Sequence, residues 1–154
     1  MQPREPTPRK AGRVLVIDPA GRVLLLQGFD PAKPNSLHWV TIGGGVDDGE
    51  GTAQAALREL WEETGINATA DVLIGPVWRR TTEFSFAGMR YLQDEDYYVL
   101  RVSEVHVTLA NLDAIERATI TGYRWWSRQE LATTTEAFFP AELPELLRQA
   151  DDAR

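Results

Sequence analysis

Short apolar runs separated by turn residues fill the first third of the chain. Residues 13–17 (RVLVI) and 22–27 (RVLLLQ) have the length and branched content of strands, and the intervening DPAG is a turn. A loop with two prolines follows over 29–37, then a short strand over 38–42 that runs into Gly43, Gly44 and Gly45. There the period changes. From 52 to 64 the apolar residues Ala53, Ala56, Leu57, Leu60 and Trp61 gather on one side at helical spacing. Thr52 is the expected N-cap and Gly65 the residue just past the end. Beyond it, 72–82 and 83–89 read as strands, and 90–107 as an extended region interrupted by Asp94, Glu95 and Asp96. A loop with a helical turn (108–119), a strand (121–126), a short helix (128–133) and an amphipathic helix (144–150) complete the pattern. Strands before, between and after a few helices predict an α/β protein, a mixed β-sheet held between helices in an α/β/α sandwich.

The chain of 154 residues suits one domain, expected over 12–154. Residues 1–11, rich in proline and basic side chains, are expected to be a flexible tail. A formal charge of -7 with no Lys/Arg run argues against binding a nucleic-acid duplex, though metal ions could still bring in a small phosphorylated ligand. With no cysteine there are no disulfides or thiol nucleophiles. No apolar run is long enough to span a bilayer, and the opening MQPREPTPRKAGR lacks a signal peptide's apolar core. The expected setting is cytoplasmic, without membrane association.

The helix over 52–64 carries a conflict. Glu59, Glu62 and Glu63 stand at i, i+3 and i+4, within an arc of roughly 100°. Each non-adjacent pair costs about 0.2–0.5 kcal/mol in repulsion. Glu62 and Glu63 also fall in the last turn, where the helix dipole disfavours anions. A hard divalent cation such as Mg²⁺ would turn that repulsion into attraction. Scattered glutamates usually mark only a solvated helix face, so the surrounding spacing decides.

That spacing is Gly44, then Glu50, then Arg58-Glu59-Leu60-Trp61-Glu62-Glu63-Thr64-Gly65-Ile66. It resembles the box of the Nudix hydrolase superfamily (MutT-like proteins) at every specified position. The later Arg124-Trp125-Trp126-Ser127, followed by Glu130 and Leu131, also looks like the end of many such domains. One departure is Ile42 where many members place proline ahead of the glycines.

The resemblance implies a Nudix-type α/β/α sandwich and a Mg²⁺- or Mn²⁺-dependent hydrolase of phosphoanhydride bonds in nucleoside diphosphate derivatives. Such chemistry needs neutralised phosphate oxygens and an activated water, both of which carboxylate-held divalent ions supply. By resemblance, Glu59, Glu62 and Glu63 are catalytic and metal-binding, the Gly43 carbonyl is a further ligand, and Glu50 and Arg58 brace the loop to the helix. The family usually adds an acidic residue from outside the box: Glu116 is the first choice and Glu95 the second. Arg79, Arg80 and Arg90 are candidates to clamp phosphates, and Trp39 and Phe84 to stack on a base. The expected partner is a small-molecule nucleotide. No sequence feature fixes the oligomeric state, a homodimer being one option. The alternative function is a catalytically silent nucleotide-ligand sensor on the same fold; isomerase chemistry on a related scaffold lacks its cysteine here.

Overall fold

The computed structural model describes residues 5–152. Its elements are β1 (Thr7–Ile17), β2 (Val23–Gly28), β3 (His38–Gly45), α1 (Thr52–Thr64), β4 (Ile74–Phe86), β5 (Met89–Arg101), α2 (Ala114–Thr119), β6 (Ile120–Trp126), α3 (Arg128–Thr133), β7 (Phe138–Phe139) and α4 (Leu143–Asp152). The expected mixed α/β sheet between helices is present.

The sheet divides into two leaves that share β3. The first half of β3 pairs antiparallel with β2, Gln27 opposite Trp39, and its second half with β1, Arg13 opposite Gly43. On one side β1 runs parallel to β5, and β5 pairs with β4. On the other, β6 pairs with β2, and β7 with β3. Strand alternation sends apolar side chains to both faces. Val14, Val16, Leu24, Leu26, Ile42, Tyr98 and Leu100 meet Ala56 and Leu60 of α1. Leu15, Ile17, Leu25, Trp39, Val99 and Trp126 meet Leu131 of α3 and Leu143, Leu146 and Leu147 of α4 on the far face. Trp125 and Trp126 therefore part to opposite faces, as adjacent strand residues must.

Helix α1 lies close on β1 because Gly12 has no side chain: a Cβ there would come within 1.8 Å of the Thr52 carbonyl oxygen. The N-cap is Gly51 rather than Thr52, and the Gln54 side chain accepts its N–H at 2.8 Å. The Thr52 hydroxyl instead reaches Asp96, at 2.7 Å. Gly65, in the left-handed region at φ 74°, ends the helix and donates its N–H to Trp61.

Two expectations are corrected. Residues 1–4 lie outside the described residues, but Thr7–Ala11 is strand, not tail: its backbone is engaged by Tyr91–Glu95 of β5. Neither Pro6 nor Pro8 prevents this, since a parallel ladder on an outer segment tolerates missing donors. The second concerns the hairpin of β4 and β5, which turns at Ala87-Gly88 rather than between 82 and 83. Both turn residues have positive φ, 50° and 81°, the backbone of a two-residue hairpin turn. Among the described residues no helix is long and apolar enough to cross a membrane.

Candidate active site

The box assembles around Arg58. Its guanidinium donates to both oxygens of Glu50 (2.8 and 3.0 Å), to Glu59 (2.9 Å), to Glu62 (3.3 Å) and to the Gly45 carbonyl (2.9 Å). One side chain thus ties the loop after β3 to α1 and sets two carboxylates in place. The fork geometry of guanidinium suits it to this, where a lysine would reach fewer acceptors. Hydrogen bonds from Arg58 hold the Glu50 carboxyl below its usual range.

The glycines admit the carboxylates. A Cβ at Gly44 would lie 2.7 Å from the Glu59 carboxyl carbon. Gly43, at φ 145°, donates its N–H to Glu63 at 2.8 Å. Alternation makes the Gly43–Gly45 end of β3 a thin partition. Glu59 lies against Gly44 on the α1 face, while Arg9 lies against Gly45 and Arg13 against Gly43 on the far face.

Glu116 is brought to the same place. The backbone N–H of Thr108 bonds to the Thr64 carbonyl, and the Asn111 side chain to the Trp61 carbonyl, holding this segment to the end of α1. Asp113 caps α2 by accepting the Glu116 N–H at 2.8 Å, and its own N–H donates back to the Glu116 carboxylate at 3.3 Å, which holds that side chain at the start of α2. One carboxylate oxygen from each of Glu59, Glu62 and Glu116 then lies within 4.8 Å of the others. Glu63 points elsewhere, buried against Gly43.

The electrostatics fit a cation. Burial, with the Glu116 and Glu62 charges adding and Arg58 opposing, pushes the Glu59 carboxyl up to about 7. Burial and then the charge of Glu59 drive Glu63 well above the ordinary range. Burial likewise raises Glu116. Three partly buried, mutually repelling carboxylates with converging oxygens form the donor set that hard divalent cations take.

A pH dependence follows. The folded protein keeps a proton on Glu59 that the unfolded chain loses above its ordinary value of 4.5. The associated stability is therefore full below about pH 4.5 and is lost as pH rises through 7. Without divalent ions, the melting temperature of wild type should fall relative to Glu59→Gln between pH 4.5 and 7. Mg²⁺ at pH 7 should raise it for wild type only. Parallel curves for the two proteins would refute the assignment.

The remaining expected residues separate. Glu95 does not join the acidic cluster: it is buried on the far face, accepting from Arg13 (2.9 Å), Arg80 (2.6 Å), Gln93 (2.8 Å) and Tyr97 (3.2 Å). The two arginines hold its carboxyl below the usual range despite burial. Arg80 shares that face with Phe84, whose ring stacks on Tyr91 at 5.4 Å. Arg79 falls on the α1 side of the sheet and pairs with Asp96 at 3.0 Å. Arg90 is exposed and pairs with Glu83. Trp39 packs edge-on against Trp126 at 5.2 Å and donates to Glu136 at 3.2 Å, so its ring belongs to the core and not to a stacking platform.

Two arginines were not anticipated. Arg9 lies beside Gly45 with its guanidinium 5.5 Å from the Tyr91 ring centre, and Arg13 joins Glu95 to the Thr41 carbonyl. The signal was a period-two row, Arg9, Arg13, Leu15, Ile17, whose apolar members already pointed to the core.

The mixed sheet and a helix presenting convergent carboxylates behind a glycine turn match the Nudix-type architecture that the sequence resemblance implies. The NUDIX domain model matches residues 7–147, so the chain belongs to the Nudix hydrolase family. An RNA pyrophosphohydrolase of Dinoroseobacter shibae is 47% identical over 58 residues, 38% of this chain and 34% of that relative. The match thus spans about a third of that protein. One from Novosphingobium aromaticivorans is 29% identical over 134 residues, covering 77% of this chain and 76% of its own. Among solved structures, the E. coli dihydroneopterin triphosphate pyrophosphohydrolase shares the fold with a TM-score of 0.66 at 21% identity, over 97% and 100% of the two chains.

Proposed function

We propose that this chain hydrolyses a phosphoanhydride bond in a nucleoside diphosphate derivative with the help of Mg²⁺ or Mn²⁺. The observation that carries the reading is the convergence of Glu59, Glu62 and Glu116, with one oxygen from each inside 4.8 Å. These three would hold the ion, the Gly43 carbonyl adding a ligand beside them. When bound, the ion supplies charge neutralisation for the phosphate oxygens and makes water more acidic.

The chain's own groups do the rest. Arg58 orients Glu59 and Glu62 through bonds it also makes to Glu50 and Gly45. Glu63 accepts the Gly43 N–H and so fixes the strand end. Glu59, lifted to about 7 by burial and its acidic neighbours when no ion is present, would give up that proton to bind one. Arg9, which stands against Gly45 on the far side of the glycine turn, would meet a phosphate, and the stacked Phe84 and Tyr91 rings would take a base.

The names of the two relatives motivate adding an RNA with a 5′-triphosphate to a panel of nucleoside triphosphates, nucleotide sugars, ADP-ribose and dinucleoside polyphosphates. At least one substrate should release phosphate, pyrophosphate or a nucleotide only when Mg²⁺ or Mn²⁺ is present. No turnover across the panel would overturn the reading.

A further inference from the structure

The outer edge of β4 is open. No described strand pairs with it, and Val77, Arg79, Thr81, Glu83 and Ser85 are all exposed. Phe86 and Met89 flank the two-residue turn. In such a hairpin the flanking pair exchanges both hydrogen bonds, so the even-numbered residues from Trp78 to Phe86 bond to β5. The odd-numbered residues present their N–H and C=O groups outward. Edge strands of this length are usually kept apart by charge, because like side chains meet when two copies approach. The charges here do the opposite.

We propose that β4 pairs antiparallel with β4 of a second copy about a two-fold axis at Thr81, joining the two sheets into one. With the axis there, Arg79 faces Glu83 of the second copy, and Glu83 faces its Arg79. Each already has an opposite charge on its own chain, Asp96 beside Arg79 and Arg90 beside Glu83. Pairing therefore builds two alternating rows of four charges. On the far face Trp78 comes opposite Phe84 of the second copy at a non-hydrogen-bonded position, where side chains approach closest and aromatic pairs stabilise. Residues 77–85 exchange about ten backbone hydrogen bonds.

The register is selected by the same charges. An axis at Arg79, Arg80 or Glu83 sets a charge against its own copy, and an axis at Thr82 leaves no opposite-charge pair. Pro76 and the irregular register between Ile74 and Trp78 stop the pairing at its other end. The second copy would extend the far face, bringing its Phe84 beside Trp78 next to Arg80.

The absence of cysteine makes the test clean. Across the axis the two Thr81 Cα atoms should stand about 5.5 Å apart, inside the range a disulfide spans. Oxidised Thr81→Cys should run as a covalent dimer. Ser85→Cys should not link to itself, but should link when mixed with Val77→Cys. Sedimentation of wild type should show concentration-dependent dimers, and Arg79→Glu should raise their dissociation constant by about tenfold while the melt stays cooperative. A wild type that stays monomeric at every concentration, Ser85→Cys linking as readily as Thr81→Cys, or Arg79→Glu dimerising like wild type would each overturn the proposal. None of these readouts uses hydrolysis, so they stand apart from the proposed activity.

Discussion

Glu62→Gln should lower turnover by roughly 10²–10⁴-fold, about 3–5 kcal/mol of transition-state stabilisation, with the fold intact. Glu62 is partly exposed, and its hydrogen bond to Arg58 at 3.3 Å is the weakest that guanidinium makes to the box, so little folding energy rides on its charge. What the variant loses is one of three converging oxygens and the negative charge behind it. Glu63→Gln separates a second role. Its side chain is buried and holds a proton readily, and a glutamine oxygen can still accept the Gly43 N–H. It should therefore fold normally, and a loss of turnover would show that the carboxylate itself is needed. Steady-state kinetics at saturating Mg²⁺, with a thermal melt of each variant, check both. Turnover within twofold of wild type in both would remove these residues from the chemistry.

The largest stability loss is expected at Glu95. Its carboxylate is 3% exposed and stands between Arg13 and Arg80, with Gln93 and Tyr97 completing its bonds. Glu95→Gln keeps the shape and removes the charge, leaving two guanidiniums in a low-dielectric setting without their counter-ion. Breaking such a pair costs about 3–5 kcal/mol. In a domain of this size that corresponds to a melting-temperature drop of roughly 10 °C. Urea denaturation would measure it. The metal requirement of the remaining folded protein should not change, which separates this position from the acidic cluster. A variant as stable as wild type would contradict the account of the far face.

The site could be read from the sequence where its parts are local. Residues from Gly44 to Ile66 carry their geometry in their spacing, because helical periodicity alone puts Glu59, Glu62 and Arg58 within reach of one another. Glu116 was placed from the resemblance and from its position before β6; the capping bond to Asp113 is what aims it. Long-range contacts hid the rest. Glu95 reads as one more acidic loop residue until β1, 82 positions away, supplies Arg13. Arg9 was assigned to a tail because the prolines around it suggest one, and only the partner β5 makes it strand. The turn at Ala87-Gly88 escaped because alanine at positive φ is not a turn signature. Trp39 looked available for stacking until α3 and α4 closed over its face.

The proposed hydrolysis depends on Glu59, Glu62 and Glu116 acting together as a divalent-cation site. The direct test follows product release from the best panel substrate as Mg²⁺ is titrated into wild type and Glu62→Gln side by side. Wild type should be silent in chelator and rise to saturation, while the variant stays near the chelator baseline at every Mg²⁺ concentration. Equal rates with and without Mg²⁺, or matching titration curves for the two proteins, would contradict it.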